Sequence, residues 1–247
     1  MRLAAIVLAG GLGARVRSGI NKVFLPVRDR AVLDYSVRTF QRASDVSRIV
    51  IAVRPEDRHR LDHLGGPDLI GPDLIGPAAG PPLSTVAGGV TRHQSEVSAI
   101  EFLATAIEAG AIDLIAIHDG ARPFMTFELL DACIEAAVRF GGAVPGMAPE
   151  APLYRMEEGA AVPLGGDALI RVQTPQVFKA RPLLEAYRAS VEAGFEGVDT
   201  AETMEKFSTV EVAIVPADER NMKVTFVEDL FRAEELATNW DDGRWRR

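Results

Sequence analysis

A chain of 247 residues with 47% hydrophobic and 25% charged residues has the make-up of a soluble globular protein, large enough to bury a core without covalent staples. Its formal charge of −8 argues against a broad nucleic-acid surface, although a few convergent cations would still serve a small anionic ligand. A single cysteine, Cys133, excludes an internal disulfide framework and points to a reducing compartment; within the apolar run 129–138 it is expected as a buried structural thiol.

Residues 3–8 are continuously apolar until Gly10 ends the run, the pattern of a strand buried on both faces of a parallel sheet. The start lacks a signal-peptide cleavage pattern and no stretch is long enough to cross a bilayer, so a cytoplasmic protein without membrane contact is expected. Residues 32–40 place apolar side chains at helical spacing, and 48–53 (RIVIAV) form a second strand. A helix is predicted over 95–107 and a strand over 114–117, whose tip is His118-Asp119-Gly120. Residues 127–138 form a further helix. Strands alternating with helices predict an α/β, Rossmann-like fold: a mostly parallel sheet with helices on both faces. Two regions break the rhythm. Residues 65–83 hold GPDLI twice, at 66–70 and 71–75, followed by GPAAGPP, and read as an exposed loop. Residues 148–172 are too long for an ordinary connection and are expected to project as an arm or lid. The chain therefore divides into a single domain over 1–240, with the arm at about 148–172, and a C-terminal tail over 241–247.

Candidate chemistry begins directly after the first strand, in Ala9-Gly10-Gly11-Leu12-Gly13-Ala14-Arg15. Glycines admit close backbone approach to phosphate oxygens, and successive amides cradle an anion. The turn is not a P-loop, because GK[ST] is absent, and its spacing does not match a dinucleotide fingerprint. Arg15 and Lys22 follow it as cations placed to meet the phosphates of a triphosphate. His118-Asp119-Gly120-Ala121-Arg122-Pro123 sits at a strand's carboxyl tip, the edge where open α/β sheets bind ligands. A carboxylate there suits Mg²⁺; the alternative is a capping aspartate paired with Arg122. His118 reads as a packed, hydrogen-bonded histidine outside the chemistry. Three further segments, residues 88–95 (GGVTRHQS), 173–178 (QTPQVF) and 221–225 (NMKVT), each have a bland explanation as a turn, an extended X-Pro segment or a strand start.

In their joint order these blocks resemble the 2-C-methyl-D-erythritol 4-phosphate cytidylyltransferases and their ribitol-5-phosphate cytidylyltransferase relatives, over about residues 3–236. That family's pattern runs A-G-x-G-x-R…P-K, G-G-x-x-R-x-x-[ST], H-D-[AG]-x-R-P, Q-T-P-Q-x-F and N-[IM]-K-[IV]-T. The resemblance implies the nucleotide-diphospho-sugar transferase type of Rossmann-like fold. It implies an Mg²⁺-dependent transferase joining CTP to a small polyol phosphate, giving a CDP-alcohol and pyrophosphate, from a homodimer that crosses arms. By the same resemblance Ala9, Gly10, Gly11 and Gly13 hold the triphosphate, and Gly89, Arg92 and Ser95 hold base and ribose. Arg15, Lys22 and Lys223 face the reacting phosphates, and Asp119 binds the metal. Arg122, Thr174 and Asp199 fall to the acceptor.

Four features depart from the family. Asn21 replaces the proline of P-K. The arm's D-T-[IM]-K block is here Ala151-Pro152-Leu153-Tyr154, and Gly166 stands where the arm arginine is expected. Val198 replaces the threonine before Asp199. Except for Asn21, these lie on acceptor positions, with Arg155 or Arg171 as candidate replacement cations. They predict poor use of methylerythritol phosphate and a preference for another phosphorylated alcohol. The alternatives are a related nucleotidyltransferase with another acceptor or nucleotide, and a nucleotide-binding protein without turnover.

Overall fold

The computed structural model describes residues 1–11, 21–63, 80–164 and 169–246. The first half runs β1 (Leu3–Leu8), β2 (Pro26–Val27), β3 (Arg30–Ala31), α1 (Val32–Arg42), β4 (Val46–Val53), β5 (Leu83–Ala87), α2 (Arg92–Glu108), β6 (Leu114–Asp119) and α3 (Phe127–Phe140). The second half continues with β7 (Gly141–Met147), β8 (Tyr154–Glu157), β9 (Ala160–Pro163), β10 (Arg171–Val172), β11 (Gln176–Lys179), α4 (Ala180–Glu192) and α5 (Thr200–Phe207). It closes with β12 (Glu211–Pro216), α6 (Glu228–Ala237), β13 (Trp240–Asp241) and β14 (Arg244–Trp245).

Eight strands form the central sheet, in the order β10-β7-β11-β6-β1-β4-β5, with β12 also pairing on β7. Pairing is parallel between β1 and both β4 and β6, between β4 and β5, and between β7 and β12. The antiparallel strands are β11 and β10. The mixed α/β architecture read from the sequence is therefore present.

β1 explains why its sequence is continuously apolar. Leu3, Ala5 and Val7 pack under α1 and α3, against Leu33, Val37, Phe40, Leu130 and Cys133. Ala4, Ile6 and Leu8 face the other way, onto Ile100, Leu103, Leu183 and Tyr187 of α2 and α4. Cys133 is fully buried there, and burial pushes its thiol up to about 12. A third cluster joins Val27, Val32, Tyr35, Phe124, Met222, Val224, Ala233 and Trp240. It clamps the chain on both sides of Lys223.

Three regions differ from the sequence reading. Leu83, placed in the Gly/Pro-rich loop, begins the edge strand β5, while the repeat at 66–75 lies outside the described residues. Within the arm, β8 and β9 form a hairpin around Glu158 (φ 48) and Gly159 (φ 88), the left-handed pair that a tight hairpin turn requires. The arm is also shorter than 148–172, since Arg171 and Val172 pair with Met147 and Gly146 in the main sheet. Finally, residues 241–246 are not a loose tail. β13 and β14 form a hairpin whose Trp240 and Trp245 rings meet edge to face at 4.9 Å and pack on Phe124. The Asp242 carboxylate, 5% exposed, pairs with Arg30 and Arg42. Among the described residues no helix is long and apolar enough to cross a membrane.

Candidate active site

β1 and β6 run in parallel register with Leu8 opposite Asp119, so the turn after β1 and the tip of β6 open on the same carboxyl edge. Gly120 continues that pairing by donating to the Leu8 carbonyl at 2.9 Å. A side chain at Gly120 would bring its Cβ to 2.9 Å from that oxygen and 2.7 Å from Leu33, which accounts for the glycine after Asp119.

A cavity of about 170 Å³ lies at this edge, walled by Leu8, Gly10, Gly11, Lys22, Val90, Thr91, Arg92, Ser95, Asp119 and Lys223. Its floor is a tight backbone crossing. The Ser95 hydroxyl accepts from Gly89 N–H at 3.1 Å and donates to Thr91 O at 3.0 Å. A Cβ at Gly10 or Gly88 would sit 3.1–3.2 Å from that hydroxyl, and one at Gly89 would collide with the Gln94 side chain. Thr91 caps α2 by accepting from Gln94 N–H, so the positive end of the helix dipole faces the cavity. Asn21, where the family has proline, donates from its side-chain amide to Ala9 O at 2.7 Å and ties the glycine turn to the segment carrying Lys22. Gly13 and Arg15 lie outside the described residues.

Asp119 is the electrostatic centre. Lys223 Nζ donates to its Oδ2 at 2.6 Å, Arg92 Nε donates to its Oδ1 at 3.3 Å, and Arg122 Nε lies 3.8 Å from Oδ2. Burial would push this carboxyl up, but Arg92, Lys223 and Arg122 together hold it well below the carboxylate range. Three cations, Arg92, Arg122 and Lys223, thus gather around one carboxylate, and Lys22 lines the same cavity.

Behind Asp119 the blocks are stitched together. Asp119 N–H donates to the Thr174 hydroxyl at 3.1 Å, and that hydroxyl lies 3.0 Å from His118 Nδ1. His118 Nε2 is 2.9 Å from Arg122 O, so a neutral ring protonated on Nε2 satisfies every partner. Burial pushes His118 down to about 4, which keeps it neutral. Arg122 donates to Asn221 O at 2.8 Å, and Asn221 donates to Gln173 Oε1 and Thr174 O.

A second cavity, about 330 Å³, opens on the other side of Lys223, lined by Arg122, Arg171, Gln173, Glu219, Lys223, Asp229 and Arg232. Arg122, Arg171 and Lys223 therefore meet there. Arg171 also pairs with Glu150. Asp199 lines neither cavity: it caps α5, accepting from Glu202 N–H and from the Gln176 side chain. Arg155 stands on the exposed hairpin, paired with Glu157. Val198 is 83% exposed, Pro152 is exposed, and Gly166 lies outside the described residues. The sequence reading singled out neither Asn21 nor Asn221 for a structural tie, and it missed Glu96, which holds Arg92 at 2.6 Å. The i, i+4 spacing of Arg92 and Glu96 on one helix was the available signal.

The family model described as "IspD: 2-C-methyl-D-erythritol 4-phosphate cytidylyltransferase" matches residues 3–239. A relative of that name from Cereibacter sphaeroides is 35% identical over 237 residues, covering 96% of this chain and 97% of its own. The crystal structure of the 2-C-methyl-D-erythritol 4-phosphate cytidylyltransferase from Thermus thermophilus superimposes with a TM-score of 0.68 at 27% identity, covering 94% of this chain and 98% of that one. A 4-diphosphocytidyl-2C-methyl-D-erythritol synthase from Anaerococcus prevotii has the same fold, with a TM-score of 0.75 at 21% identity over 96% of both chains.

Proposed function

Because this chain belongs to the 2-C-methyl-D-erythritol 4-phosphate cytidylyltransferase family and is a nucleotidyltransferase, we propose that it transfers the cytidylyl group of CTP to 2-C-methyl-D-erythritol 4-phosphate and releases pyrophosphate. The observation that carries the reading is Lys223: one ammonium forms part of the wall of both cavities. The smaller cavity, with its glycines, helix N-terminus, Lys22 and Arg92, suits a nucleotide. The larger one, with Arg122 and Arg171, suits a phosphorylated alcohol.

The chemistry needs no catalytic base. A phosphate monoester is largely dianionic at neutral pH, so its oxygen attacks the α-phosphorus directly. A new P–O bond forms, the bond from the α-phosphorus to the bridging oxygen breaks, and pyrophosphate leaves with that electron pair. The obstacle is bringing two anions together. Lys22 and Lys223 lower it by offsetting charge along the triphosphate, Arg92 helps to hold the nucleotide, and Arg122 and Arg171 hold the acceptor phosphate. Arg15 belongs with the first group by its place in the motif.

Among the described residues no three carboxylate, histidine or cysteine groups converge as a metal cage. A Mg²⁺ ion would instead rest on Asp119 and on nucleotide phosphate oxygens, a mode that suits this hard cation. When bound it would supply further charge neutralisation at the leaving group. Homodimerisation through the arm is supported by a hairpin too small to be stable alone and by exposed Leu153, Tyr154, Met156, Ile170 and Ile214. A cytoplasmic site of action is supported by one buried, unpaired cysteine.

Similarity over almost the whole chain to relatives bearing this name weighs against the expectation of a different acceptor. Pro152 and Val198 still favour a second reading, in which another polyol phosphate is used. Steady-state kinetics with methylerythritol, ribitol and glycerol phosphates decide between them. Methylerythritol phosphate is expected to give the highest kcat/KM; a clear preference for another of the three establishes the second reading.

A further inference from the structure

α2 carries a carboxylate that the chemistry above does not use. Glu96 is fully buried, and an ionisable side chain in that position is costly unless it is paired. Its partners lie on two different elements. Oε1 accepts from Arg92 Nη1 at 2.6 Å, on the same helix one turn earlier, and from the Thr200 hydroxyl at 2.6 Å, in the first turn of α5. Oε2 is buried without a hydrogen bond, and so is the hydroxyl of the neighbouring Tyr187. Burial pushes the Glu96 carboxyl up, while Arg92 and the Thr200 and Tyr187 hydroxyls pull it back toward the charged form.

Arg92 consequently stands between two anions, Glu96 behind it and Asp119 at the cavity wall. Its Nη1 is taken by Glu96 and its Nε by Asp119, and its Nη2 makes no hydrogen bond to the described residues. A guanidinium is a planar fork of five donors, so anchoring one prong fixes where the others point. Without the anchor, the Coulomb attraction of Asp119 at close range would draw the whole group onto that carboxylate. The cation would then be turned away from a ligand.

We propose that Glu96 is a positioning residue for nucleotide binding: held by Thr200, it keeps the Arg92 guanidinium at the mouth of the smaller cavity, facing the nucleotide instead of folding onto Asp119. This rests on reading that cavity as the CTP site. Arg92 touches the nucleotide; Glu96 acts through Arg92 alone.

The test compares Glu96→Gln and Thr200→Val in the wild-type and Arg92→Ala backgrounds, by steady-state kinetics and by calorimetry with CTP and Mg²⁺. Glu96→Gln keeps the shape and an acceptor oxygen but removes the charge. It is expected to raise both the KM and the Kd for CTP about tenfold while kcat changes less than about twofold, the signature of lost binding energy that ground state and transition state share. Thr200→Val, close to isosteric, gives a smaller rise of about threefold in the same direction and covers the case in which Glu96→Gln fails to fold. In the Arg92→Ala background neither substitution is expected to raise the KM further, because the residue that Glu96 acts through is gone. A lowered melting temperature with an unchanged CTP KM, or an equal rise in the Arg92→Ala background, overturns the inference and leaves the nucleotide reading standing. Wild-type protein that binds no CTP overturns both.

Discussion

The cavity edge and the arm hairpin are built on opposite terms. At the cavity edge, Asp119, Thr174, His118 and Asn221 are buried and tied to one another across segments more than 40 residues apart in sequence. On the hairpin, β8 is exposed along its whole length, and Tyr154 and Met156 are 59% and 68% exposed. One region is tied together by contacts within a single chain and owes its geometry to the sheet. The other has no core beneath it and gains one only by burying its apolar side chains against something else. Charge changes at the first region should therefore act on chemistry with the fold intact, and changes at the second on assembly.

The largest expected effect is at Asp119. Asp119→Asn removes the carboxylate proposed to hold the metal and leaves Arg92, Lys223 and Arg122 without their shared anion. Turnover should fall by about 10²–10³-fold, with circular dichroism close to wild type and a lowered melting temperature, because Arg122 and Arg92 lose a buried partner. Near-normal Mg²⁺-dependent activity would return Asp119 to a purely structural pairing with Arg122.

Next comes His118, which separates stability from catalysis at the same edge. Its folded value of about 4 lies below the ordinary 6.5, so between those values the unfolded chain carries a proton that the folded chain does not. Stability is then full above about pH 6.5 and declines as pH falls toward 4, by roughly 3 kcal/mol. Urea unfolding at pH 7 and 4.5, with a chelator present, should show that loss in the wild type and a clearly smaller one in His118→Gln. An equal loss in both would mean that other groups drive the acid transition.

The arm tests the other half of the contrast. Met156→Glu places a charge on the exposed apolar strand and should weaken self-association by about 10–100-fold, seen as a shift to monomer in light scattering at micromolar concentration. A wild-type chain that is already monomeric there removes the arm's proposed role. The smallest effect belongs to Arg155, which is exposed and paired only with its neighbour Glu157. Arg155→Ala should change the acceptor KM less than about twofold, and a tenfold rise would place Arg155 in an acceptor site completed by a partner subunit.

How much of this was legible in the sequence follows burial. β1 and α1 announced themselves because strands covered on both faces read as continuous apolar runs and amphipathic helices keep their period. β5 was hidden in a Gly/Pro-rich stretch, and β12, half exposed at the other end of the sheet, carries no clean alternation. The C-terminal hairpin had a signal, Asp242-Gly243 between Trp240 and Trp245, but each strand is only two residues long. At the site, the motif order led to Asp119, Arg92, Lys22 and Lys223, which the fold gathers around one cavity. The second cavity and the Glu96 anchor were not legible, because both arise where distant segments meet. The acceptor candidates stayed divided for the same reason: Arg122 and Arg171 converge within this chain, whereas Arg155 and Asp199 do not reach either cavity.

The most direct test of the central claim is product identification. The purified chain is incubated with Mg²⁺, 2-C-methyl-D-erythritol 4-phosphate and, in turn, CTP, UTP, ATP and GTP, while pyrophosphate release is followed and the product is identified by mass. The account predicts stoichiometric pyrophosphate and a cytidine diphosphate alcohol with CTP, and at most a small fraction of that rate with the other three. A faster reaction with a purine triphosphate, or bound CTP without turnover on any polyol phosphate, would contradict it.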